Sequence, residues 1–110
     1  MKKNQDAKVF DLHELELYFD RNPGEYFFDF LRLGHLEAGI IKLAPGAKDT
    51  QTAHDLDELY YVIRGSGMLK LGSAEVPVRD GSIIFVPKGM THEFFGNNEL
   101  LVVLYVFPTK

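Results

Sequence analysis

Cysteine is missing from the 110-residue chain. Its absence excludes disulfides, thiolate metal sites and thiol nucleophiles, and leaves the redox compartment open. Long apolar runs are scarce as well. The longest, residues 100–107, has eight members, far short of the roughly 20 that cross a bilayer. Basic charge is not in excess either: Lys plus Arg number 12 against 16 for Asp plus Glu, for a net charge of −4. Phosphate backbones call for a concentrated basic surface, so nucleic acid is not the expected partner. No apolar stretch follows Met1-Lys2-Lys3, so no signal peptide is read and a cytoplasmic location is expected. Low-complexity segments and repeats of 20–50 residues are also absent. What remains is ordinary globular composition, 45% hydrophobic and 25% charged, in a chain of 12.5 kDa. That is the size of one domain, able to bury about 65% of its unfolded surface without covalent staples.

Turn signals recur at short intervals: Asn22-Pro23-Gly24, Gly34, Pro45-Gly46, Gly65-Ser66-Gly67, Gly72-Ser73, Asp80-Gly81, Pro87-Lys88-Gly89 and Gly96-Asn97-Asn98. Runs rich in β-branched and aromatic residues lie between them, at 15–19, 26–33, 36–43, 59–64, 68–71, 82–86, 91–95 and 100–107. Short strands at this spacing predict an all-β antiparallel barrel or sandwich. Two segments admit helix: a turn over 11–17, and 25–33 as an alternative to strand. Residues 1–8 read as a loose polar tail, 9–35 as N-terminal strands covering the barrel or a dimer face, and 36–110 as the barrel. Residues 59–63, 83–86 and 100–107 are apolar at consecutive rather than alternate positions. A strand with one wet face alternates, so these are expected to be covered on both sides. The barrel interior is one cover. The N-terminal segment, a partner chain or both must be the other, and a homodimer is therefore expected.

Four histidines stand at 13, 35, 54 and 92. On one extended strand His54 and Glu58 would sit about 13 Å apart, too far for one ion. If Asp55-Leu56-Asp57 bends, His54 ends one strand and Glu58 begins its neighbour, about 4.8 Å away. His92 would arrive from a third strand. Two imidazoles and a carboxylate with open positions suit Fe(II), and also Mn, Ni or Zn. Asp55 and Asp57 read as turn formers, and His13 and His35 as strand or surface imidazoles.

The spacing also matches a family. Gly46, five residues, Thr52-Ala53-His54, three residues, Glu58, six residues and Gly65 resemble the first cupin motif. Gly81, five residues, Pro87-Lys88-Gly89, two residues and His92 resemble the second. The likeness extends over about 36–107 and is that of a small single-domain cupin. It implies a conserved antiparallel barrel, the jelly-roll or double-stranded β-helix, with a metal or small-ligand site in its mouth. Small cupins commonly pair through outer sheet faces and N-terminal strands. Two positions depart from the pattern. Thr52 stands where the family usually has a further His ligand, and Gly96, followed by Asn97, where it usually has Asn. A threonine hydroxyl is a poor ligand for a transition metal, but Thr52 shares strand parity with His54 and could hydrogen-bond a metal-bound water.

By the same parity Thr52, Tyr60, Val62 and Phe94 are expected to line a pocket for a compact, partly apolar ligand. No basic cluster suggests a phosphate clamp. The expected activity is metal-dependent chemistry on a small organic molecule, of dioxygenase or Lewis-acid type. The alternative is a non-catalytic module in which His54, Glu58 and His92 are hydrogen-bonded pocket lining and a small molecule is bound or sensed.

Overall fold

The structure, a computed structural model, describes residues 6–50 and 55–109. The first regular element is a helix, α1 (Leu12–Arg21). Asp11 caps it: its backbone is extended, and its Oδ1 accepts from the amides of His13 and Glu14 at 2.8 and 3.3 Å. Glu14 in the first turn and Arg21 in the last complement the helix dipole. The Asn22 amide closes the far end on the Tyr18 carbonyl at 2.8 Å. This is the helical turn admitted over 11–17, longer than expected, and it corrects the strand expected at 15–19. Over five residues Leu15-Glu16-Leu17 mimics alternation, but the cap and the Leu12–Leu15 spacing favour helix.

Eight strands follow among the described residues: β1 (Phe27–Arg32), β2 (Leu36–Leu43), β3 (Glu58–Arg64), β4 (Ser66–Leu71), β5 (Ala74–Arg79), β6 (Ile83–Val86), β7 (His92–Phe95) and β8 (Leu101–Pro108). They form a five-stranded sheet in the order β1-β2-β8-β3-β6 and a three-stranded sheet in the order β5-β4-β7, with every pairing antiparallel. This is the all-β, antiparallel double-sheet architecture expected. Strand β5 is the one that sequence patterning passes over. Pro77 interrupts its apolar pattern, and proline lacks the amide a central strand needs. It is tolerated because β5 lies at the edge of its sheet.

The chain crosses from one sheet to the other at Gly65, between β3 and β4. Its φ is +99°, and a Cβ there would overlap the Leu100 carbonyl, so glycine is required on both counts. The Gly65 amide donates to Asp80 at 2.7 Å, which fixes the corner.

The inner faces of both sheets pack into one core containing Ile41, Leu43, Tyr60, Val62, Leu69, Phe94, Leu101, Val103 and Tyr105, all at most 2% exposed. Behind the larger sheet, α1 lies over part of the outer face, where Leu12 and Leu15 line an apolar cleft together with Ile40, Tyr61, Ile63 and Leu104. Glu16, buried on the helix, takes a two-pronged bond from Arg64 at 2.6 and 2.8 Å and an ion pair from Lys42 at 3.3 Å. The two-sided cover expected for the apolar strands is thus uneven. Val102 of β8 is fully buried, whereas Leu59, Tyr61, Ile83 and Phe85 on β3 and β6 remain 42–69% exposed. No helix among the described residues is long and apolar enough to cross a membrane.

Candidate functional site

Glu58 opens β3 in the larger sheet and His92 opens β7 in the smaller one. Strand parity turns both inward, and the fold brings their side chains together from opposite sheets. His92 Nε2 lies 3.1 Å from Glu58 Oε1, and each side chain is 1% exposed. The other ring nitrogen, Nδ1, is 2.9 Å from the Met90 carbonyl. A carbonyl can only accept, so Nδ1 carries the proton there. In the neutral imidazole, Nε2 then presents a lone pair to a buried carboxylate. Two acceptors facing each other at this distance call for a cation between them, either a proton or a metal ion. Burial pushes the His92 pKa down, but the Glu58 carboxylate and the Met90 carbonyl outweigh it and the net direction is up. Glu58 Oε2 and the Tyr60 hydroxyl are buried without a hydrogen-bond partner among the described residues, so polar capacity is left over at this point.

Tyr60, Val62 and Phe94 face inward as parity requires and are fully buried. The Tyr60 ring meets Phe94 edge-on at 5.0 Å and lies 5.8 Å from the His92 ring. Burial, followed by the charges of Glu58 and Asp49, raises the Tyr60 pKa far above the ordinary phenol range, so its hydroxyl stays protonated and available as a donor. Thr52 and His54 lie outside the described residues. Among the described residues no group of three His, Asp or Glu side chains is assembled that could hold an ion; Glu58 and His92 form a pair. His13 and His35 are exposed, as expected of surface imidazoles. Asp57 accepts the Lys88 amide at 3.0 Å, which ties the segment before β3 to the loop after β6.

Asp49, Tyr26, Asp29 and Tyr105 carry no mark in the sequence. Asp49, 2% exposed, accepts the Phe94 amide at 2.9 Å and the Tyr26 hydroxyl at 3.0 Å. The Tyr26 oxygen in turn accepts the Thr50 amide at 2.9 Å. On the other side of the site, the Tyr105 hydroxyl donates to Asp29 across Gly39. A Cβ at Gly39 would overlap the Tyr105 ring and the Phe28 carbonyl. Asp29 also pairs with Arg32 at 2.8 Å. Asn97, one place beyond the family's usual position, is 2% exposed, and its amide donates to the carbonyls of Leu43, Ala44 and Glu99 at 2.9–3.1 Å. It fastens the end of β2 to the loop after β7.

The cupin-domain family description matches residues 39–107. The chain belongs to the cupin family. It is 38% identical over 100 residues to the uncharacterised protein SCO3923 of Streptomyces coelicolor, covering 91% of this cupin and 94% of the relative. Among solved structures, this cupin resembles TT1209 from Thermus thermophilus with a TM-score of 0.79 and 22% identity, over 93% of this chain and 97% of that one. It also resembles a double-stranded β-helix protein from Klebsiella pneumoniae with a TM-score of 0.80 and 17% identity, over 94% and 91% of the two chains. These structural likenesses concern the fold alone.

Proposed function

We propose that this cupin holds a divalent metal ion through Glu58, His92 and the sequence-assigned His54, and acts on a small organic molecule bound beside it. The reading rests on the buried Glu58–His92 pair, in which a carboxylate oxygen and an imidazole lone pair face each other at 3.1 Å. An oxygen and nitrogen donor set of this kind suits Fe, Mn, Ni or Zn. The unpartnered Glu58 Oε2 and Tyr60 hydroxyl fit the same reading, because they leave polar atoms for the ion and for a ligand. A bound ion would supply Lewis acidity to a ligand oxygen or, as Fe(II), activation of O₂.

The protein's own groups then have separable tasks. The Met90 carbonyl fixes the His92 tautomer and aims Nε2 at Glu58. Tyr60 keeps its proton and can donate to an oxygen of the small molecule. Tyr60, Phe94 and Val62 keep the inner end of the site apolar and dry, which strengthens every electrostatic contact there. The alternative reading, a module that binds or senses a small molecule without turnover, draws support from the dense packing of these three side chains and from Thr52 standing in place of a family ligand.

One experiment separates the two. Protein loaded anaerobically with Fe(II) is screened against small catechols, keto acids and uncharged sugars, and oxygen is then admitted. Oxygen uptake or product formation that disappears in Glu58→Ala supports the enzyme. Tight binding without turnover under any of the four metals supports the module. The proposal also includes a C2 homodimer, formed through the outer face where Leu59, Tyr61, Ile83 and Phe85 are exposed side by side on β3 and β6.

A further inference from the structure

We infer that Asp49 and Tyr26 are positioning residues for the metal site, an inference that rests on the reading above. Strand β7, which carries His92, pairs with β4 among the described residues. At Phe94, two residues beyond His92, the amide is taken by the buried carboxylate of Asp49 at 2.9 Å. A charge-assisted bond of this kind is stronger than an ordinary ladder bond. It ties β7 to the segment after Gly46, the same segment that leads in sequence to His54.

Asp49 is itself held. Its second oxygen accepts from the Tyr26 hydroxyl at 3.0 Å, and the Tyr26 oxygen accepts the Thr50 amide at 2.9 Å. Tyr26 stands just before β1, and its carbonyl accepts the Lys42 amide at 2.7 Å, which anchors it to β2. The clamp therefore runs from β2 through Tyr26 and Asp49 to the backbone of β7. Both residues act through the backbone that presents His92, by way of the Phe94 amide. Metal ligands held to within a few tenths of an ångström bind more tightly than loose ones, because less conformational freedom is lost on binding.

The test uses Co(II) as the probe, read by the position and intensity of its visible d–d bands and by titration. Tyr26→Phe removes only the hydroxyl. It is expected to weaken Co(II) binding about tenfold, the scale of outer-shell losses, and to alter the bands of the bound ion. A merely structural role would lower the unfolding midpoint while leaving the bound-ion spectrum as in wild type. Asp49→Asn retains a carbonyl oxygen for the Phe94 amide and is expected to bind Co(II) more tightly than Asp49→Ala. If Asp49→Ala fails to fold, Tyr26→Phe carries the test alone. Wild-type affinity and spectrum in Tyr26→Phe, with binding lost in His92→Ala, would overturn the positioning role while leaving the metal site standing. No Co(II) binding by the wild type, or undiminished binding by His92→Ala, would overturn the metal site and this inference together.

Discussion

His92 is the residue whose protonation state decides most. With its pKa raised, the imidazolium form persists above the usual value of about 6.5. The sign for the metal-free protein follows: this proton stabilises the fold below pH 6.5, and the contribution is lost as pH rises through the raised value. A metal ion competes with the same proton, so uptake is expected to release about one proton per site. Affinity should weaken as pH falls through that raised value, and therefore already above about 6.5. Isothermal titration in buffers of different ionisation enthalpy measures the proton directly; no proton release at pH 6.5 would contradict the assignment. In protein purified without added metal, His92→Ala and Glu58→Ala should each lose most of the bound metal, whereas His13→Ala should retain it. Gly39 gives a second residue-scale expectation. Tyr105 lies across it, so Gly39→Ala should destabilise by about 2 kcal/mol through overpacking, as read from the urea midpoint.

At the scale of elements, the seat of α1 on the larger sheet depends on Glu16. The bond from Arg64, and after it the one from Lys42, hold the Glu16 carboxyl below its ordinary range in spite of burial. A depressed carboxyl stabilises the fold above its unfolded value, about 4.3, and the contribution is lost as pH falls through the lower folded value. Glu16→Gln should cost roughly 1 kcal/mol near neutrality, and the difference from wild type should shrink as pH falls below about 4.3. Urea unfolding at neutral and at acid pH checks it. A difference that stays constant would mean that the helix is held by packing alone.

The whole molecule leaves one sheet face half finished. Leu59, Tyr61, Ile83 and Phe85 are apolar, adjacent across the β3–β6 ladder and 42–69% exposed. Strand β6 is also the edge of its sheet, and an exposed apolar edge invites pairing. Light scattering at micromolar concentration should therefore give the mass of two chains. Phe85→Glu or Ile83→Glu should shift it to one while the circular dichroism stays unchanged. A monomeric wild type with no trend on concentration would show that α1 alone suffices as cover.

Much of this protein is legible in its residues taken in order. Turn residues at short, regular intervals fix the number and length of most strands, because glycine and proline restrict the backbone locally whatever surrounds them. Glu58 and His92 can be named from spacing, since strand parity dictates which way each side chain points. Strand β5 is hidden because Pro77 is acceptable only at an edge, and edge position is a property of the sheet. The helix is legible only as a turn over 11–17, because five residues do not separate a period of 2 from one of 3.6. Asp49 and Tyr26 carry no periodic signal at all. Their importance arises when the Phe94 amide, 45 residues along the chain from Asp49, arrives beside a buried carboxylate. Local chemistry determined the strands and the inward direction of the candidate ligands. Only the tertiary structure decided how closely Glu58 and His92 meet, what holds β7 in place and which apolar face stays open, because these depend on contacts between residues far apart in sequence.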